Sequence, residues 1–112
     1  MSSGGKGKNS QQDKIFKALA DGTRRKVLDY LREKPRTTGE ICDKIKHLDR
    51  CTVMLHLKVL EQADLIMVRR EGRVRWNHLN IDPIQGIYRR WIKDYAEPSA
   101  HLLSRLKEEL ET

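Results

Sequence analysis

From Asp13 onward the apolar residues recur at helical intervals. Ile15, Phe16, Leu19 and Ala20 mark one face of a first helix, which Asp21-Gly22 ends. Thr23 begins a second, with Val27, Leu28 and Leu31 on one face, Arg24, Arg25, Lys26, Arg32 and Lys34 on the other, and Pro35 as its stop. Thr37 or Thr38 caps a short third helix whose buried stripe is Ile41, Ile45 and Leu48, with Glu40 or Ile41 following the cap. Asp49 is the N-cap of a fourth, in which Val53, Leu57 and Leu60 face the core, reinforced by Val59 or Ala63. Asp64 stands where a helix-ending glycine is usual. Period-two alternation then takes over: Leu65 to Val68, a basic stretch containing Gly72, and Val74, Trp76 and His78 alternating with Arg75 and Asn77 predict a two-stranded hairpin. Asp82-Pro83 opens a last helical region with Ile84, Ile87, Tyr88, Trp91, Ile92 and Tyr95. Pro98 interrupts it before Leu102, Leu103, Leu106 and Leu110, so the end is either one kinked helix or two.

The expected fold class is therefore mainly α with a small two-stranded β-hairpin. Residues 1–11 hold Gly, Ser, Lys, Asn and Gln with a single Met and are read as a disordered N-terminal arm, whose Lys6 and Lys8 could brush phosphates. Residues 12–80 form the helix-and-hairpin domain and 81–112 a C-terminal helical region. At 112 residues this is one domain with a modest core. No apolar run approaches a membrane span and no signal-peptide pattern opens the chain, so the expectation is a cytoplasmic protein with no membrane partner.

Charge changes the picture. A net charge of +7 favours a polyanionic partner, because clustered Lys and Arg attract phosphates and release condensed counterions on binding. Two short helices joined around His47 to Arg50, followed directly by a basic hairpin, are in the order that docks on double-stranded DNA: one helix in the major groove, one across it, the hairpin on neighbouring phosphates. Arg69, Arg70, Arg73 and Arg75 are opposed in that hairpin only by Glu71. On the fourth helix Arg50, Thr52, His56 and Lys58 are candidate contacts, with Arg50 best placed for a guanine, Thr52 for a phosphate or thymine methyl, and Cys51 beside them. Leu55 either packs on thymine methyls or belongs to the core, and His56 is either a contact or a structural histidine.

Between Ile15 and Leu79 the chain resembles the ArsR-type winged helix repressors. The resemblance is carried by Phe16-Lys17-Ala18-Leu19-Ala20-Asp21-Gly22-Thr23-Arg24-Arg25, by Thr52-Val53-Met54-Leu55-His56-Leu57-Lys58-Val59-Leu60, and by Arg70-Glu71-Gly72-Arg73-Val74, in that order. It implies a winged helix-turn-helix, a homodimer joined through the first and last helices, and repression at a palindromic operator. The apolar residues Ile15, Phe16, Leu19, Ile84, Ile87, Tyr88, Trp91, Ile92 and Tyr95 are candidates for that interface, with ordinary core an equal alternative for Ile87 and Trp91. The chain departs from the pattern at Met54 and Leu55, where polar residues are usual. The resemblance also brings metal sensing into question. The third-helix site needs two closely spaced cysteines, whereas Cys42 and Cys51 lie nine positions apart. The dimer-interface site needs an Asp-x-His with a later His-x-x-Glu, and only His101 is present. The chain is thus similar to the metal-independent members, with no cofactor expected and the effector unspecified.

An enzyme would need a nucleophile with a base, a phosphate loop or a metal with an open position, and the sequence offers none. Two alternatives stay open at this level: a winged helix used for protein contact, which Met54 and Leu55 would suit, and a thiol-based metal or redox sensing repressor using Cys42 and Cys51.

Overall fold

The computed structural model describes residues 3–93 and 105–110, with side chains from residue 10 onward. The elements run α1 (Ser3–Leu19), α2 (Gly22–Glu33), β1 (Arg36–Thr37), α3 (Thr38–Lys44), α4 (Arg50–Gln62), β2 (Ile66–Glu71), β3 (Val74–Leu79) and α5 (Asp82–Ile87). α5 continues into a π-helical turn, Tyr88–Ile92. Residues 105–110 are helical too, with Leu106 and Leu110 exposed. Tyr95 and Pro98 lie outside the described residues.

Local chemistry explains most boundaries. Asp21 accepts from the Arg24 N–H at 3.0 Å and starts α2. Thr37 and Glu40 form a reciprocal capping box on α3, with Glu40 N–H on Thr37 Oγ1 at 3.1 Å and Thr37 N–H on Glu40 Oε1 at 2.9 Å. Asp49 accepts from Thr52 N–H at 2.7 Å and caps α4. The far end of α4 closes by a Schellman pair: Leu65 N–H donates to Leu60 O and Asp64 N–H to Glu61 O, both at 3.0 Å. Asp64 takes φ 58, so an aspartate occupies the left-handed position that glycine usually fills.

α1 is longer than the pattern suggests. Its start was expected near Asp13, after an arm at 1–11, but helical backbone begins at Ser3. Ile15 and Ala18 are buried and fix the C-terminal turns, and the helical backbone runs on upstream through Gly4, Gly5 and Gly7, which are poor helix formers and gave the pattern no helical signal.

The sheet has three antiparallel strands in the order β1-β3-β2, where two were expected. Arg36 and Thr37 pair with Asn77 and Trp76. A two-residue strand has too short a periodicity to read, and tertiary contact makes it. Asn77, fully buried, completes the junction: its amide donates to Arg36 O at 3.2 Å and Thr38 Oγ1 at 3.1 Å, binding β3 to the start of α3. The core joins Val27 and Leu31 of α2, Ile41 of α3, Val53, Leu57 and Leu60 of α4, and Leu65 and Ile66. Each leucine buried as fully as Leu57 contributes about 2 kcal/mol.

Two predictions follow from the caps. Asp64→Gly relieves the left-handed strain and should raise the unfolding free energy by up to about 1 kcal/mol, read as a slightly higher urea midpoint, whereas Asp64→Val should lower the midpoint; equal midpoints would refute the strain. The caps also set acid sensitivity. Backbone N–H donors, chiefly that of Arg24 to Asp21, Thr52 to Asp49 and Thr37 to Glu40, hold these carboxyls below their ordinary values of 3.8, 3.8 and 4.5. With folded values depressed, their stabilisation is full above the ordinary values and is lost as pH falls through the lower folded ones. The triple variant Asp21→Asn, Glu40→Gln, Asp49→Asn keeps the cap acceptors but cannot titrate. Its Tm should fall less than that of the natural protein between about pH 5 and pH 2, as read by circular dichroism.

Candidate functional site

At about 100° per residue, α4 divides into an inner stripe and three outward sectors. Val53, Leu57 and Leu60 are buried. The opposite sector carries Cys51, Leu55 and Lys58, all exposed. Leu55, at 65% exposure, belongs to the free face and not to the core. Arg50 and Met54 line the flank toward the hairpin, and Met54 is half-buried against the core. Thr52 and His56, both half-buried, line the flank toward α2.

The hairpin register sorts its arginines. Arg70 stands opposite Arg75 and Arg69 opposite Trp76, so side chains at 70 and 75 share the face that carries buried Asn77, and Arg69 lies on the other. Gly72, with φ 62, is the first residue of the two-residue turn between paired Glu71 and Val74. Arg70 and Arg73 reach into a cleft of about 440 Å³ with Thr37, Gly39, Arg50 and Met54. This cleft joins the capped starts of α3 and α4 to the hairpin tip and is lined by cations.

Three of the candidate contacts have partners within the chain. Arg75 donates to Glu61 Oε1 of α4 at 3.1 Å with a side chain only 20% exposed. It braces the hairpin on α4 and also lines the cleft beside Arg70 and Arg73. Arg69 turns outward and lies 4.0 Å from Glu71. His56 is held at Nδ1 by Arg24 Nη1 at 3.1 Å, so it is a structural histidine on that edge of the ring.

The apolar candidates also divide. Ile15 (5% exposed) and Ile87 (6%) are core residues of the single chain and drop out of the interface set, because α1 and α5 pack on each other through them. Leu19 is half-buried against the core. Phe16, Ile84, Tyr88, Trp91 and Ile92 remain exposed, and the Arg90 guanidinium lies 4.4 Å over the Trp91 ring.

The two thiols sit in different surroundings. Cys42 packs half-buried against the core from α3, Cys51 is exposed on α4, and among the described residues no group of three or more His, Cys, Asp or Glu is placed to hold an ion. No helix among them is long and apolar enough to cross a membrane.

Sequence reasoning missed Arg24, which it placed only on the face of the second helix opposite Val27, Leu28 and Leu31, and Glu61 and Asn77, which it gave no role. Arg24 stands inside the 16–25 segment that carries the family resemblance, which was a usable signal. Glu61 and Asn77 act only through partners distant in sequence, so no local pattern marks them.

A family profile described as a helix-turn-helix domain matches residues 19–69. The uncharacterized HTH-type transcriptional regulator YuzN of Bacillus subtilis (strain 168) is 35% identical over 91 residues, covering 76% of this chain and 99% of that protein. The transcriptional repressor SdpR of the same organism is 35% identical over 71 residues, 63% of this chain and 78% of its own. Among solved structures, one of an ArsR family transcriptional regulator superposes with a TM-score of 0.72 at 30% identity, covering 82% of this chain and 93% of the other.

The register makes a graded forecast. Arg70→Ala and Arg73→Ala should each weaken binding to any duplex and reduce the slope of log K against log salt by about 0.9, while Arg69→Ala should change the slope far less. Equal slopes for all three variants, in fluorescence-anisotropy titrations over a salt series, would refute this assignment of faces.

Proposed function

The chain belongs to the ArsR family of helix-turn-helix transcriptional regulators, and from that premise we propose that it works as a cytoplasmic homodimeric repressor reading a palindromic operator. The observation that carries the reading is α4: one stripe seats it in the core while Arg50, Cys51, Leu55 and Lys58 stand outward beside the cationic cleft. In this reading α4 enters the major groove, Arg50 takes a base edge, Leu55 packs on thymine methyls and Lys58 meets a phosphate. Arg70 and Arg73 hold the adjacent backbone. The protein performs no chemistry on DNA; it competes for the site.

Dimerisation is supported by the exposed stripe Ile84, Tyr88, Trp91 and Ile92 along α5 and its π-helical turn, with Phe16 exposed on α1. Large apolar side chains clustered on one surface favour a partner, and a second copy sets two recognition helices roughly 34 Å apart on one duplex face. The exposure of Leu55 also suits a protein partner, and salt separates the two readings. Several phosphate contacts make DNA affinity fall steeply with salt, whereas a hydrophobic interface barely responds.

Anisotropy titration against the gene's own upstream DNA, with unrelated duplex as competitor at about 150 mM salt, should give competitor-resistant binding at two chains per site. Weak, fully competed binding would overturn the reading. Trp91→Ala should shift the protein toward monomer in sedimentation velocity and lower operator affinity in parallel. An unchanged dimer would remove Trp91 from the interface.

A further inference from the structure

Arg24 lies in the first turn of α2, but its guanidinium turns back across the α1–α2 junction. Nε and Nη2 donate to Ala18 O and Lys17 O, each at 2.9 Å, and Nη1 lies 3.1 Å from Nδ1 of His56 on α4. A guanidinium has five donors, no acceptor, and does not deprotonate in proteins. At this separation Nδ1 must therefore supply a lone pair, which leaves the imidazole hydrogen on Nε2. The rival partner, Asp21 Oδ2, is 3.9 Å from the same nitrogen and already accepts from Arg24 N–H at 3.0 Å.

Nε2 is unengaged and reachable. Among the described residues it makes no hydrogen bond, and the buried side-chain polar atoms without partners are Arg75 Nε and Asn77 Oδ1, so Nε2 is not sealed from solvent. The His56 side chain is 18% exposed. It shares its flank of α4 with Thr52, on the side away from the hairpin.

We propose that Arg24 is a positioning residue that fixes His56 as its neutral Nε2–H tautomer, and that this N–H donates to a backbone phosphate on the groove wall opposite the wing. The proposal rests on the DNA-binding reading above. A helix with side chains is roughly 10–12 Å across and the major groove about 12 Å wide, so groups on the two flanks of α4 meet the phosphate walls while its outer face meets base edges. The wing flank is cationic. The opposite flank presents a neutral donor in a fixed orientation, which sets the insertion angle of α4 without releasing a counterion.

The test has a part that needs no DNA. Imidazole 15N–1H correlation spectra of the free natural protein at neutral pH should show His56 with the hydrogen on Nε2 and a pyridine-like Nδ1. Arg24→Lys, which loses the planar fork, should give a mixture of tautomers. An Nδ1–H tautomer or a doubly protonated ring in the natural protein would overturn the proposal. In anisotropy titrations, His56→Gln keeps a donor near Nε2 and should bind within about threefold of the natural protein. His56→Asn, whose shorter amide does not reach that position, should lose about tenfold on every sequence. The salt slope should be the same for both, because a neutral contact releases no ion. A slope reduced by about 0.9 in His56→Asn would make the histidine a cation, and a loss confined to one base pair would make it a base contact; either result overturns the phosphate assignment. If the natural protein itself fails to bind its operator, the DNA reading falls and the phosphate contact with it, while the spectra still decide the tautomer.

Discussion

The seating of one short helix governs everything outside the core. Val53, Leu57 and Leu60 are buried among side chains of α2, α3 and the start of β2, and this stripe sets the rotation of α4 about its own axis. A turn of one residue, about 100°, would withdraw Leu57 from the core and carry the outer sector away from solvent. Asp49 at one end and the Asp64 left-handed turn at the other fix its length, so neither its phase nor its reach is free. The cleft, the free face and the His56 flank are three consequences of that single constraint.

The excess of positive charge is distributed by task. Arg24 and Arg25 donate to the last carbonyls of α1, at Lys17, Ala18 and Leu19, where a helix end leaves acceptors without partners. Arg36 stacks 3.8 Å over the Tyr30 ring, and Arg75 ties the hairpin to Glu61. Arg50, Lys58, Arg70 and Arg73 are exposed, with no ion pair to a carboxylate among the described residues. A polyanion thus meets a surface from which the structural arginines have already been withdrawn, and the net charge overstates the number of cations available to it.

Rigidity at the hairpin base has a similar origin. Buried Asn77 spans β1, β3 and α3, and Arg75 anchors β3 to α4, so the tip that carries Gly72 and Arg73 projects from a fixed root. The orientation of the side chains at the tip therefore depends on residues at the root of the hairpin. An orientation held by such supports costs less entropy on binding than one a loose hairpin would have to adopt.

What the chain encodes locally could be read without coordinates. The inner stripe of α4, the caps at Asp49 and Thr37, the unusual Asp64, the basic hairpin and the helix-turn-helix order are all set by neighbours within a few residues, where periodicity and capping chemistry operate. Tertiary structure decided the rest. It paired Arg36 and Thr37 with β3, gave Arg75 to Glu61 and Arg24 to His56, buried Ile15 and Ile87 within one chain, and left Leu55 in solvent. The physical reason is the same in each case. A side chain's type specifies what it can bind, but which partner it meets depends on how elements far apart in sequence are brought face to face, and that arrangement is a property of the whole core.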